Sequence, residues 1–324
     1  MKELVEELRK IIGNKTSEQT PLFTKKGFEA IKISENNFHN IKDLKEDKTL
    51  CFVDGGNSEL ISANNISLQF IRVAAVGYKG NKKVFLEKRE FYILISFVEN
   101  SYKAKILPSN ETIAFSLNDE SLKDGKSVAK ISRIGDFIRR IEELKLASEI
   151  AEKSDFIIID GSLEEKFSQE KQFLETLFAK NVFVASISKT NSLITTSGEQ
   201  VSNILFNMKA GKWFYHPIAK IESDEFLADI VFAKLNEQSN YIFKIAVHKK
   251  EFEELLSQLA ANSNDPIFLG YPYGLIEVDR IARVSNKEAE YLKTRLMIEF
   301  GKDWEQIKKL ENTNNAHKIL DSIG

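Results

Sequence analysis

Asp155-Phe156-Ile157-Ile158-Ile159-Asp160-Gly161-Ser162 is the stretch on which the reading of this 324-residue chain turns. Four consecutive apolar residues, three of them β-branched, are too short a run for a helix and read as a strand covered on both faces, closed by an Asp-Gly step. Upstream, Ile131, Ile134, Phe137, Ile141, Leu144 and Ala147 recur at helical spacing, which predicts one long helix over 128–153. Downstream, a helix is expected over 164–179 and another buried strand over 181–188. Strand, helix and strand at this spacing imply a parallel crossover. Earlier, Leu50-Cys51-Phe52-Val53 stops at Asp54-Gly55-Gly56, which reads as a strand followed by a tight glycine turn. The β-branched and aromatic runs 66–78 and 83–98 then complete a three-stranded antiparallel meander. The fold class is therefore α/β, a mixed β-sheet flanked by helices.

Outside this frame, residues 1–12 place Leu4, Val5, Leu8, Ile11 and Ile12 on one helical face, a packed or partner-facing helix. Residues 15–48 are polar and read as a connecting arm with little chemistry, and 99–126 show no clear period. Residues 190–211 are expected as helix or loop, 228–235 and 241–248 as strands, and 250–260, 275–284 and 287–300 as helices. No internal repeat or low-complexity segment is visible.

Forty-six Lys plus Arg against 48 Asp plus Glu leave a net charge of -2, so a polyanion partner has to be met by a local patch. The single cysteine, Cys51, excludes an internal disulfide and a cysteine-rich zinc cluster, which points to a reducing, cytoplasmic setting. No apolar run approaches the roughly 18–20 residues of a membrane span. The histidines, His39, His216, His248 and His317, form no metal-ligand spacing.

Asp54 and Asp160 are the pair to explain. Carboxylates at the ends of neighbouring strands repel unless a divalent cation neutralises them, and hard oxygen ligands suit magnesium or manganese. Two such ions about 3.5–4 Å apart can activate water and stabilise a leaving oxygen, which is phosphoryl-transfer or phosphodiester chemistry. The plain alternative is that each Asp-Gly makes a turn. By the same standard Glu142-Glu143 after Arg139-Arg140 is a solvated helix face, Tyr271-Pro272-Tyr273 a packed turn, and Asp279 a helix-surface charge.

Taken in order, Cys51-Phe52-Val53-Asp54-Gly55-Gly56-Asn57-Ser58, Arg140-Ile141-Glu142-Glu143, Ile157-Ile158-Ile159-Asp160-Gly161-Ser162-Leu163, Ile187-Ser188-Lys189-Thr190 and Gly270-Tyr271-Pro272-Tyr273 resemble the archaeal NurA nuclease family. The resemblance covers about residues 48–300. It implies an RNase H-like core that forms a homodimer and cuts DNA with Mn2+ or Mg2+, of the 5′–3′ exonuclease and single-strand endonuclease type. It also implies work beside a HerA-type hexameric ATPase in DNA end resection for double-strand-break repair. Carried over by motif, Asp54, Glu143 and Asp160 stand where the metal-binding carboxylates stand, with Glu142 the fallback for Glu143. Lys189 matches the lysine after the third strand, Tyr271 the tyrosine near the metals, and Asp279 the histidine or acid eight positions later. The domain reading is then an arm at 1–47, a nuclease domain at 48–300 and a helical tail at 301–324.

A nuclease needs cations at the phosphates. Candidates are Lys82-Lys83, Arg133, Arg139, Arg140, Lys189 and Lys249-Lys250, with Trp213 and Tyr215 as candidate base-stacking rings in Trp213-Phe214-Tyr215-His216. Two other readings stay open. An actin-like or sugar-kinase phosphotransferase also begins with a strand ending in Asp and glycines, although no glycine-rich adenosine turn and no G-x-x-x-x-G-K-[ST] loop is found. A DNA-binding scaffold on a weakened nuclease fold is the other.

Overall fold

The computed structural model describes residues 1–13, 19–63, 65–125, 128–248 and 252–312. Lys249-Lys250 and residues 313–324, which include His317, lie outside the described residues. In chain order the elements are α1 (Lys2–Gly13), β1 (Phe28–Ala30), β2 (Phe38–Asn40), β3 (Thr49–Ser62), β4 (Ile66–Lys79), β5 (Lys82–Val98), β6 (Ser101–Leu107), β7 (Thr112–Ser116), α2 (Arg133–Glu149), β8 (Phe156–Asp160), α3 (Lys171–Phe178) and β9 (Phe183–Ser188). Then follow α4 (Val201–Met208), β10 (Trp213–Tyr215), β11 (Ala219–Ile221), β12 (Asp229–Lys234), β13 (Phe243–His248), α5 (Glu253–Ala261), α6 (Tyr273–Ala282), α7 (Asn286–Phe300) and α8 (Trp304–Asn312).

The chain forms two compact units interleaved in sequence. The first holds Met1–Lys48, Ile158–Glu164 and Phe183–Tyr273, and the second holds Thr49–Ile157, Glu165–Val182 and Gly274–Gly324. Strand order is β2-β10-β12-β13-β9-β8 in the first, which holds Ile158–Asp160 of β8, and β3-β4-β5-β6-β7 in the second.

In the second unit β3, β4 and β5 are the expected meander, with Phe52 opposite Val76 and Ile71 opposite Phe91. The 99–126 segment, patternless in sequence, adds β6 and β7 antiparallel to it. The Asp155 amide donates to the Thr49 carbonyl at 3.0 Å, which ties the starts of β8 and β3 together and sets the two strands parallel. The expected glycine turn after Val53 is not there, because β3 runs unbroken through Asp54-Gly55-Gly56.

What those glycines provide is space. Successive strand residues face opposite sides. A Cβ on Gly55 would stand 2.5 Å from Glu143 Oε1 of α2, and one on Gly56 would stand 2.4 Å from the Ala282 carbonyl oxygen of α6. The helices thus close on opposite faces of one strand. Asn57, on the α2 side, donates to Asp136 and Gln69, while Arg72, opposite Gly56, reaches Glu288 of α7 and the Arg283 carbonyl. Phe52 lies under α6, where a Cβ on Gly274 would come within 2.1 Å of its ring. Burial pushes the Cys51 thiol well above its ordinary pKa, against a weaker hydrogen bond with Ser154, so it behaves as a packing residue.

In the first unit β12, β13 and β9 run antiparallel, with Val231 opposite Ile245 and Ile245 opposite Ile187. The Gly161 amide donates to the Ile187 carbonyl at 3.0 Å, which joins the far ends of β8 and β9 in the expected parallel sense. Residues 15–48 are more than a connecting arm. β1 pairs with β11 and β2 with β10, so the segment is stitched into the unit. Helix α1 leaves Leu4, Val5 and Leu8 exposed. The helix expected over 164–179 begins only at Lys171, because Glu170 turns inward instead of continuing a surface. Among the described residues no helix is long and apolar enough to cross a membrane.

Replacing Gly274 by Ala would force the Phe52 ring and α6 apart, at a cost of about 1–3 kcal/mol. Denaturant unfolding checks this, and an unchanged midpoint would mean that α6 is not seated on β3 as described.

Candidate functional site

In the second unit Asp54 follows the fully buried Phe52 and Val53, on the face of β3 that Phe52 and Gly56 share. Its Oδ1 accepts the Gly55 amide at 2.8 Å. Asp279, on α6, offers a carboxylate oxygen within 4.8 Å of one on Asp54, and Arg283 one turn later is ion-paired to it. Helix α6 is held in place by a buried carboxylate, since Glu277 accepts from the Tyr78 hydroxyl and from Lys83. Lys83, itself exposed, is thereby ion-paired to a buried acid.

Glu143 lies across β3 on the α2 side. It is almost wholly buried and takes Arg139 Nη1 at 2.7 Å and Arg140 Nη1 at 3.6 Å. Glu142 accepts from Lys145. Arg139 also donates to the Gly55 carbonyl at 2.9 Å, so it braces the strand beside Asp54. Burial works against its charge, and the carboxylates of Glu143, Asp136 and Asp54 outweigh that and hold the guanidinium above its ordinary pKa. Arg140 is buried and donates from Nε to Glu170 at 2.6 Å, and Glu170 in turn accepts the Lys166 amide. Arg140 was expected at DNA phosphates; its donors are spent on Glu143 and Glu170 inside the core, which corrects that expectation. Arg133 donates to the Lys123 carbonyl.

In the first unit Asp160 closes β8. Gly161 follows at φ 109°, a conformation that glycine adopts without strain, so this Asp-Gly is a true turn. Lys189 Nζ stands 2.6 Å from Asp160 Oδ2, and the Tyr271 hydroxyl is 3.5 Å from Oδ1. Lys189 Nζ also lies 5.9 Å from the centre of the Tyr271 ring, which is buried against Phe243 and Phe268. Three of the residues singled out by sequence, Asp160, Lys189 and Tyr271, therefore form one group at the end of β8.

Trp213 and Tyr215 are a second correction. Both are fully buried in the first unit, with edge contacts to Phe38. The Trp213 indole donates to the Lys209 carbonyl, and the Tyr215 hydroxyl accepts the Ser34 amide. Neither ring has a face open to a base. Their role is to fasten β2 and the 34–37 segment, a job that aromatic composition alone does not distinguish from base stacking.

Sequence reasoning missed Glu170, whose spacing looked like helix surface, and Glu277, which reads as an ordinary helical charge. Nothing in their local sequence marks either as buried.

The architecture is a mixed α/β one, a β-sheet flanked by helices with acidic residues on its central strands. The NurA domain matches residues 48–284, and the chain belongs to the NurA family. It is similar in structure to the NurA nuclease from Sulfolobus solfataricus, at a TM-score of 0.54 and 15% identity, over 94% of this chain and 98% of that one. The catalytic domain of human endonuclease V aligns at a TM-score of 0.43 and 11% identity, over 80% and 92% of the two chains. No curated protein matches the sequence. Family membership sets aside the actin-like alternative.

Glu170→Ala would leave Arg140 buried without its closest partner, and the expected loss is about 3–5 kcal/mol of stability. Thermal or urea unfolding measures it. A loss below that of an exposed-pair control such as Lys308→Ala would show that the Arg140–Glu170 pair does not anchor the segment before α3.

Proposed function

We propose that this chain is a divalent-metal-dependent nuclease that hydrolyses DNA phosphodiesters, with Asp54, Asp160 and Asp279 as the acidic residues able to hold the ion. The observation that carries the reading is one of register. Thr49 and Asp155 are hydrogen-bonded at the starts of parallel strands, and Asp54 and Asp160 each stand five residues further on. Two carboxylates at matched offsets repel unless a cation offsets their charge. The donors are all carboxylate oxygens, which fits Mn2+ or Mg2+ and not zinc. Bound there, one or two such ions would supply a water nucleophile and stabilise the leaving oxygen.

The protein's own groups divide the remaining work. Lys189 is ion-paired with Asp160 in this structure, and in the loaded enzyme its ammonium would turn to a phosphate oxygen. Tyr271, fixed by Phe243 and Phe268, orients Asp160 through its hydroxyl. Glu143 acts through Arg139, holding the guanidinium that braces Gly55, and so positions Asp54. Asp279 in place of a histidine adds a harder ligand and gives up a proton shuttle near neutral pH.

Family membership further supports 5′–3′ exonuclease and single-strand endonuclease action in end resection, a homodimer, and a HerA-type hexameric ATPase as partner in the cytoplasm. The exposed apolar stripe of α1 offers a surface for such a partner.

The test is cleavage of end-labelled single- and double-stranded DNA with Mn2+ or Mg2+. Asp54→Asn, Asp160→Asn and Asp279→Asn should each lower the rate by about a hundredfold or more, the scale of losing one electrostatic stabiliser at a reacting centre. Chelation should abolish cleavage. Mn2+ should raise the melting temperature of the wild type and not of Asp54→Asn. Wild-type protein that cuts neither substrate, with or without the ATPase, would refute the assignment.

A further inference from the structure

Alongside Asp160 and Lys189 the first unit carries a groove of about 460 Å³ that the catalytic reading does not use. Ser162, two residues beyond Asp160, lines it, as do Ser188 and Thr190 on either side of Lys189. The groove therefore shares its wall with the end of β8. Its volume lies in the range of small-molecule sites and suits one nucleotide, not a duplex.

The lining divides by chemistry. Phe23 and Phe28, stacked at 5.3 Å and 25°, are half-buried, with Leu193 and Ile230 beside them, and they make an apolar wall with aromatic surface still open. Lys25 and Lys244 reach the two oxygens of a single carboxylate, Glu164, at 2.7 and 3.1 Å. Two ammonium groups share one acid, which leaves the rim with a net positive charge. Asn191 supplies a third feature. Its Oδ1 accepts the Leu193 amide, which fixes the orientation of the side-chain amide, and its Nδ2 is buried with no acceptor among the described residues. An unsatisfied buried donor is costly, and because this one has no exposed surface here, meeting an acceptor in the groove requires the Asn191 side chain to shift outward.

An open aromatic face, an amide donor and a cationic rim beside the acidic strand end match the base and the phosphate of one unstacked nucleotide. We propose that this groove holds a single unpaired nucleotide of the DNA strand next to the scissile phosphate, with the base against Phe23, its edge at Asn191 and the flanking phosphate at Lys25 and Lys244. The assignment rests on the nuclease reading and deepens it, since it makes an unpaired strand the form of substrate that enters the site. The segment once expected to be an idle connecting arm, which contains Phe23, Lys25 and Phe28, would then be part of the substrate cleft.

The experiment measures binding of fluorescein-labelled single-stranded and blunt duplex oligonucleotides to the full chain in EDTA, where cleavage does not intervene. Phe23→Ala should weaken single-strand binding about tenfold, the scale of one lost base–aromatic stack, and Phe23→Trp should restore it. Asn191→Asp keeps the acceptor for Leu193 and replaces the spare donor, and it should weaken single-strand binding to a similar degree with an unchanged melting temperature. Blunt duplex binding should move less than twofold in every variant. An abasic site walked along the single strand should cost affinity at one position in the wild type, and that cost should vanish in Phe23→Ala. Wild-type protein that cleaves DNA while all variants bind single strands equally would overturn the groove alone. The same holds if free deoxynucleoside monophosphate displaces the strand at equal concentration, because the groove would then serve a small molecule. Wild-type protein that neither binds nor cleaves DNA would overturn the groove together with the nuclease reading.

Discussion

A side chain at residue 56 would meet the backbone of α6 and one at residue 55 would displace Glu143 and Arg139 of α2, and much of the second unit follows from that crowding. Helix α2 and helix α6 approach the same strand from opposite faces, each to within contact of a missing Cβ. The approach brings Arg139 onto the Gly55 carbonyl on one face and Asp279 near Asp54 on the other. A strand squeezed in this way cannot easily shift its register, since a slip of one residue would exchange the faces and drive Asp54 into α2. The carboxylate is placed by backbone packing, which is a stiffer device than a loop.

The two Asp-Gly steps do different work. After Asp160 the glycine takes a positive φ and lets the chain leave the strand at once, so the carboxylate sits at an end where Lys189 and Tyr271 can reach it. After Asp54 the chain stays extended and the glycine serves only to admit the helices. A dipeptide thus has two physical uses, freedom of φ or absence of a Cβ, and the choice between them depends on what packs outside the strand.

Charge is handled by burial as much as by exposure. Arg140 with Glu143 and Glu170, and Glu277 with Lys83 and Tyr78, are charged groups that local sequence would place in solvent. Arg140–Glu170 joins α2 to the segment before α3 and Glu277 joins α6 to β4 and β5, so each buried charge is matched by a partner from another element. The consequence is that Arg140 and Lys83, which looked suited to phosphate, are engaged with Glu170 and Glu277 instead.

Much of the fold was legible in the chain itself. Apolar runs of period two and 3.6 marked the meander, the long helix α2 and the β8-α3-β9 crossover, because burial of one face imposes those periods whatever the partner. The order of the Asp-Gly, Glu, Asp-Gly-Ser, Lys and Tyr-Pro-Tyr elements marked the family. Strands β1, β2, β6 and β7 were not legible, since short edge strands gain their stability from pairing with distant segments and carry little period of their own. The burial of Trp213 and Tyr215, the pairing of Arg140 with Glu170, the role of Gly55 and Gly56, and the groove that joins Phe23 to Asn191 were decided only in three dimensions. Each depends on which residues far apart in sequence come to share one face, and local propensity holds no record of that.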